Sequence, residues 1–120
     1  MRHPESQSQQ ALIKWWAFAW RQYKLPCEEL LFSIPNGGAR SVITATIMKR
    51  EGTRRGIPDL FLAVPRAQFH GLFIEMKAQE GRLSPEQKVI HPILSKQGYG
   101  LFVAHSTQEA INLIDAYLKL

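Results

Sequence analysis

The sequence holds two acids and a lysine that alternation along neighbouring strands would bring together. Asp59 opens the apolar run Leu60-Phe61-Leu62-Ala63-Val64, and Glu75 and Lys77 close the run Gly71-Leu72-Phe73-Ile74-Glu75-Met76-Lys77. Side chains alternate at period two along a strand, so Glu75 and Lys77 share a face. If residues 59–64 and 71–77 form an antiparallel pair through the connection 65–70, a symmetric register sets Asp59 opposite Lys77 and Phe61 opposite Glu75. Asp59 then lies on the face of Glu75, at a diagonal distance of roughly 5–8 Å. A one-residue slip would send these groups to opposite faces.

Such a cluster is costly unless it has a use. Two carboxylates about 5 Å apart repel by roughly 3 kcal/mol at an effective dielectric near 20. Lys77 offsets part of that, and a divalent cation between the acids would offset more. Two acids and a main-chain carbonyl, such as that of Met76, suit Mg²⁺, which takes oxygen ligands and keeps several waters. A cation held there acidifies water, and a neighbouring lysine can orient or deprotonate it. That chemistry attacks phosphodiesters. The competing reading is a structural salt bridge of Lys77 with either acid.

The motif order is more specific than its parts. Gly56-Ile57-Pro58-Asp59, then Glu75-Met76-Lys77, then Gln87 resembles the G-x-P-D…E-x-K…Q signature of the VRR-NUC domain, the virus-type replication-repair branch of the PD-(D/E)xK nucleases. Glu5-Ser6-Gln7-Ser8-Gln9 resembles that family's N-terminal Glu-and-Gln motif. The resemblance runs from about residue 4 to residue 119. It implies that Asp59, Glu75 and the Met76 carbonyl hold Mg²⁺, with Mn²⁺ as a substitute, and that Glu5 reaches the ion directly or through water. It implies that Lys77 positions the attacking water and that Gln87 braces Lys77 or a water. Glu5 also fits a plain helix-dipole role, and Gln87 a plain helix cap. Gln9 is left outside the expected site.

The resemblance further implies a homodimeric, structure-selective endonuclease acting on branched DNA, foremost a Holliday-junction resolvase. The alternatives are a flap or nicking endonuclease of the same fold, and a DNA-binding module without catalysis. Two symmetric sites suit a two-fold junction. The stand-alone viral or bacterial type is expected, in the cytoplasm of a bacterial cell and encoded by a phage or prophage.

The rest of the chain must position these groups. Its 120 residues, 45% hydrophobic and 21% charged, read as one globular domain spanning 1–120. No stretch reads as a membrane span or a secretion signal, and no glycine fingerprint of a nucleotide cofactor is present. Cys27 is alone, which excludes an intrachain disulfide and a cysteine-rich zinc site. His3, His70, His91 and His105 are scattered without metal-ligand spacing.

There are 15 lysines and arginines against 10 acids, a net charge of +5, which fits a polyanionic partner. Lys49, Arg50, Arg54 and Arg55 lead as a basic loop into the Gly56–Asp59 motif, and Arg82 and Lys88 flank the next helix start. These six are the expected DNA contacts, reading backbone rather than sequence; a solvated turn is the plainer reading of the loop.

A helix is expected over 5–24, with Leu12, Trp16, Ala19, Trp20 and Tyr23 at helical spacing and Leu25-Pro26 ending it. Trp15 and Phe18 widen its apolar arc, which a broad core contact or a partner subunit would cover. Leu30–Ile34 reads as a strand stopped by the turn signal Pro35-Asn36-Gly37-Gly38. Residues 40–50 lean towards helix. Ser84-Pro85-Glu86-Gln87 and Ser106-Thr107-Gln108-Glu109 read as capping boxes, with a strand over 99–104 between the helices. The order α-β-α-β-β-α-β-α specifies an α/β fold, a restriction-endonuclease-like mixed sheet flanked by helices.

Overall fold

The computed structural model describes residues 4–35 and 41–120. The expected turn at Asn36–Gly38 and residues 1–3 lie outside that range.

The first helix, α1 (Pro4–Ala19), opens with proline, which needs no donor there, and carries Glu5 in its first turn. Leu12, Trp16 and Ala19 form its buried stripe. The expected single helix to residue 24 instead tightens into a 3-10 turn, Trp20–Tyr23, ended by Lys24 in the left-handed region at φ 58°. The Trp16 indole N–H donates to the Glu28 carbonyl at 2.7 Å. This ties α1 to a second 3-10 turn, Glu28–Leu30, and to strand β1 (Leu31–Ser33).

Helix α2 (Val42–Arg50) starts at Ser41, whose side chain accepts from the Thr44 N–H. Strands β2 (Leu60–Leu62) and β3 (Leu72–Met76) follow, then α3 (Pro85–Lys96), β4 (Gly100–Ala104) and α4 (Thr107–Leu118). Lys49 and Arg50, expected in the basic loop, form the last turn of α2, where cations complement the helix dipole. The Ser84 capping box is complete. At α4 only half of the expected box forms. Ser106 accepts from the Glu109 N–H at 3.0 Å, while the Glu109 carboxylate takes the His105 N–H at 3.2 Å.

The sheet order is β1-β2-β3-β4, with the first two pairings antiparallel and β3–β4 parallel. The parallel pair is joined through α3, as such pairs require a crossover. Leu60, Leu62, Leu72, Ile74 and Met76 face α1 and α4, where they form the core with Leu12, Trp16, Ala110, Ile114 and Tyr117. The opposite face carries Phe61, Phe73 and Glu75, and α3 lies over it.

The register differs from the symmetric hairpin expected. Leu60 pairs with Ile74, Phe61 with Phe73 and Leu62 with Leu72, so continuing the ladder sets Asp59 opposite Glu75 rather than Lys77. The cause lies in the connection. Arg66 and Phe69 exchange N–H···O bonds of 3.1 and 2.8 Å around a tight turn. Between that turn and the first ladder pair, residues 63–65 face only residues 70–71. The extra residue is a bulge, at a place where Pro65 cannot join a ladder. The displacement is two positions, so every side chain keeps its expected face.

Candidate nuclease active site

Three backbone features bring the acidic pair to one end of the sheet. Gly56 takes φ +86°, and a Cβ there would sit 2.7 Å from the Glu86 carbonyl oxygen, so only glycine lets the loop lie this close against the first turn of α3. Pro58, two residues on, is buried and directly precedes Asp59. Asp59 then accepts the Met76 N–H on Oδ2 at 2.8 Å, in place of a ladder bond.

The same geometry treats the Met76 carbonyl differently. In an antiparallel ladder, the N–H and C=O of one residue point to the same neighbouring strand. Met76 therefore directs its carbonyl to the side of Asp59. The continued register places Pro58 opposite it, and proline has no N–H to give.

Glu75 is 2% exposed, which is rare for a carboxylate. Its Oε2 accepts the Gln87 side-chain N–H at 3.0 Å and lies 3.5 Å from the Lys77 Nζ. Oε1 is buried and receives no N–H, while the Asp59 carboxyl lies within hydrogen-bonding reach of Glu75. Gln87 does two things at once. Its Oε1 accepts the Ser84 N–H at 2.8 Å as the helix cap, while its Nε2 turns to Glu75. The capping box thus fixes the rotamer of the group that braces the buried acid.

Electrostatics follow from burial. Loss of solvent, and then the charge of Asp59, push Glu75 up to about 7, with Lys77 opposing. Asp59 is also raised, chiefly by burial, against the Met76 N–H and Lys77, which favour its charged form; the charge of Glu5 adds to the rise. Near neutral pH the pair therefore holds on to a proton when no further positive charge is present.

Of the residues expected in the site, Asp59, Glu75, Lys77, Met76 and Gln87 are brought together. Glu5 lines a cleft of about 270 Å³ with Asp59, Ser6, Gln9 and Gln10. Gln9, set aside in the sequence reading, therefore belongs to the wall of that cleft. The signal was its spacing of four from Glu5, which puts both on one helical face. Lys49, Arg50, Arg54, Arg55, Arg82 and Lys88 are all exposed. Arg55 reaches Glu86, at the start of α3, at 4.0 Å.

His91 was also missed. It is 5% exposed, one turn along α3 from Gln87, and its Nε2 is buried without a hydrogen-bond partner. Burial and then the charge of Lys77 lower its proton affinity, while Asp59 raises it. The spacing Gln87–His91 carried the signal.

The donor set fits a hard divalent cation. It offers a buried carboxylate oxygen without an N–H partner, two acids that resist ionising together, and a main-chain carbonyl on the side of Asp59, all of them oxygens. Among the described residues no three His, Cys, Asp or Glu side chains converge on one point. Two carboxylates, the carbonyl and water are therefore the ligands available, as Mg²⁺ prefers.

Comparison with known proteins agrees with this architecture. The family model described as "VRR-NUC domain" matches residues 2–108. A solved structure titled "VRR_NUC domain protein" is similar at a TM-score of 0.82 and 27% identity, covering 100% of this chain and 92% of that one. No curated protein matches. The match extends from Glu5 past Gln87 and takes in every acid and amide of the cleft, and the chain belongs to the VRR-NUC family, nucleases of the PD-(D/E)xK type.

Proposed function

We propose that the protein is a Mg²⁺-dependent endonuclease that hydrolyses phosphodiester bonds in branched DNA, acting as a homodimer that resolves Holliday junctions. The observation that carries this reading is the buried Glu75, braced by Gln87 and Lys77 and set opposite Asp59 at an open cleft. A structural salt bridge needs one acid for one lysine, and the second carboxylate beside it only adds repulsion.

A bound Mg²⁺ or Mn²⁺ supplies positive charge that polarises a phosphate oxygen and acidifies water. Asp59, Glu75 and the Met76 carbonyl would hold it, with Glu5 completing the cleft wall. Lys77 holds its ammonium 3.5 Å from Glu75 Oε2, where it would orient a water and stabilise charge developing on the phosphate. Gln87 holds Glu75 in place.

Lys49 and Arg50 at the end of α2, and Arg54 and Arg55 in the loop that ends at Asp59, are exposed cations, which suits phosphate contacts. The homodimer is supported by α2, where Val42 is 82% and Ile43 74% exposed. Such a bare apolar pair calls for a cover.

The decisive experiment compares four-way junction, flap, splayed and plain duplex DNA with Mg²⁺ and with chelator. Cleavage of the junction is expected, and loss of cleavage on chelation. Asp59→Asn and Lys77→Ala should each lower the cleavage rate by at least a hundredfold without unfolding the chain. Full activity of either variant, or unchanged cutting in chelator, would sink the assignment.

A further inference from the structure

The face of the sheet that holds the acids also holds a row of rings. Phe32 pairs with Phe61 and Phe61 with Phe73, so these side chains stand side by side across β1, β2 and β3. Ring centres lie 5.9 Å apart for Phe32 and Phe61, 4.5 Å for Phe61 and Phe73, and 5.3 Å for Phe73 and Tyr99. Gly71 makes room for the row, since a Cβ there would sit 2.5 Å from Cζ of Phe61. The inner rings are locked by their neighbours.

Along the strands the row lies two residues from Asp59 and from Glu75, on their own side of the sheet. Phe32 is the diagonal neighbour of Asp59, roughly 7–8 Å away. A single nucleotide spans such a distance between its phosphate and its base. Helix α3 covers this face over β4 and meets β3 at Glu75 through Gln87. Phe32, two strands further out, is 44% exposed. Its contact with Phe61 is edge to face, at 68°. Such a contact uses at most one face of each ring, so Phe61 leaves Phe32 at least one face.

The surroundings select the occupant. The loop that ends at Asp59 comes up on this side of the sheet, because Gly56 lies against α3 and Arg55 reaches Glu86. A ligand that lies on Phe32 and passes the acids therefore meets cations too. An apolar protein surface there would strip water from those charges without pairing them. A nucleic-acid strand brings phosphates to the cations and a π face to the ring. Turning a base out of a duplex costs free energy that an unpaired base is spared.

We propose that Phe32 stacks the base beside the scissile phosphate once that base is out of its duplex, and that this contact selects branched over plain duplex DNA. The inference rests on the nuclease reading above and adds the feature of the substrate that is read.

The test pairs the ring with the base. Two fluorescein-labelled ten-residue oligomers, one of thymidine and one of abasic residues with equal charge, are bound in chelator and followed by anisotropy. Wild type should hold the thymidine oligomer about tenfold more tightly. Phe32→Leu keeps apolar bulk and should bind both alike, with an unchanged salt slope because no charge is lost. Phe32→Tyr should restore the preference. Phe102 is also 44% exposed but pairs with Ile74 on the aliphatic face, so Phe102→Leu should behave as wild type. Circular dichroism checks that the variants fold. With Mg²⁺, the ratio of flap to nicked-duplex cleavage should fall by about fivefold in Phe32→Leu.

A wild type that does not distinguish the two oligomers overturns the proposal, whether or not Phe32→Leu folds. So does a preference that survives in Phe32→Leu, a preference that Phe102→Leu loses equally, or an unchanged cleavage ratio. Altered sedimentation of free Phe32→Leu with the preference intact would mean that a second copy of the chain covers the ring instead. A wild type that prefers bases through Phe32 yet cuts no DNA would refute the nuclease reading and leave the stacking surface standing. Junction cleavage without any base preference would do the reverse.

Discussion

Glu75 should make the metal-free protein less stable as pH rises, and the substitution Glu75→Gln should remove that loss. The carboxyl is raised from an ordinary 4.5 to about 7 in the folded chain. Between those values the folded protein holds a proton that the unfolded chain has released. The unfolded state thus binds fewer protons, and unfolding free energy falls with rising pH. The favourable contribution is intact below about pH 4.5 and lost as pH passes about 7.

Each unit of difference is worth about 1.4 kcal/mol, which gives a ceiling near 3.4 kcal/mol. Asp59 shares the titration, so about 2–3 kcal/mol is expected between pH 5 and pH 8. His91 acts in the opposite sense over the acidic part of this window, because its proton affinity is lowered. It is present in both proteins, so the difference between wild type and Glu75→Gln isolates the carboxylate. The assay is urea unfolding in chelator, followed by tryptophan fluorescence, at pH 5, 6, 7 and 8. Wild type should lose about 2–3 kcal/mol relative to the variant across the series. Parallel curves, or a wild type that gains on the variant with pH, would refute a solvent-stripped acid pair. Adding Mg²⁺ at pH 8 should restore stability to wild type alone, because a ligand of the folded state stabilises it by mass action.

Three further outcomes follow from single contacts. Gly56→Ala should cost about 2–4 kcal/mol in urea unfolding, since it combines a left-handed φ with a Cβ driven onto the Glu86 carbonyl; a loss under 1 kcal/mol would show that the loop yields freely. The pair Arg54→Ala and Arg55→Ala should weaken junction binding and lower the slope of log affinity against log salt by about 1–2, while an unchanged slope removes that loop from the contact surface. His91→Phe replaces a buried nitrogen that lacks a partner, so it should raise stability by about 1 kcal/mol and lower turnover on junction DNA; unchanged turnover would mean that the imidazole only fills space.

The element order was legible because hydrophobic period and punctuation agreed: serine and proline at the start of α3, alternation in β3, Leu12–Trp16–Ala19 in α1. The boundary of α1 was not, because nothing in Trp20–Tyr23 marks a change from α to 3-10 geometry. The pairing of Asp59 was misjudged by two positions because turn geometry, not composition, sets a register, and the bulge at 63–65 is made by Pro65 and a turn centred half a residue away. His91 and Gln9 escaped for another reason. Their helical spacing from Glu5 and Gln87 placed each on the face of a site residue, but the Asp59 and Lys77 charges that give each a place there lie far away in sequence.

The two faces of the sheet explain why that register error was harmless to the chemistry. One face is continuous aliphatic core, and burying it fixes the parity of every strand. The other face carries Phe61 and Phe73, 4.5 Å apart between ring centres, in the row next to Asp59 and Glu75. Those rings strip water from the neighbouring acids on one side while α3 covers them on another. A strand pair slipped by one would expose the leucines of one strand and carry an acid into the aliphatic core beside a phenylalanine, so it is strongly excluded. A slip by two keeps the core and keeps both acids on the α3 side. Hydrophobic burial therefore selects the face on which the acids stand, and the proline-made bulge selects which of Glu75 and Lys77 stands opposite Asp59. With Lys77 there, the pair would be a neutral ion bridge. With Glu75 there, the two carboxylates stand directly opposite each other with Lys77 to one side, and either a shared proton or a cation relieves their repulsion.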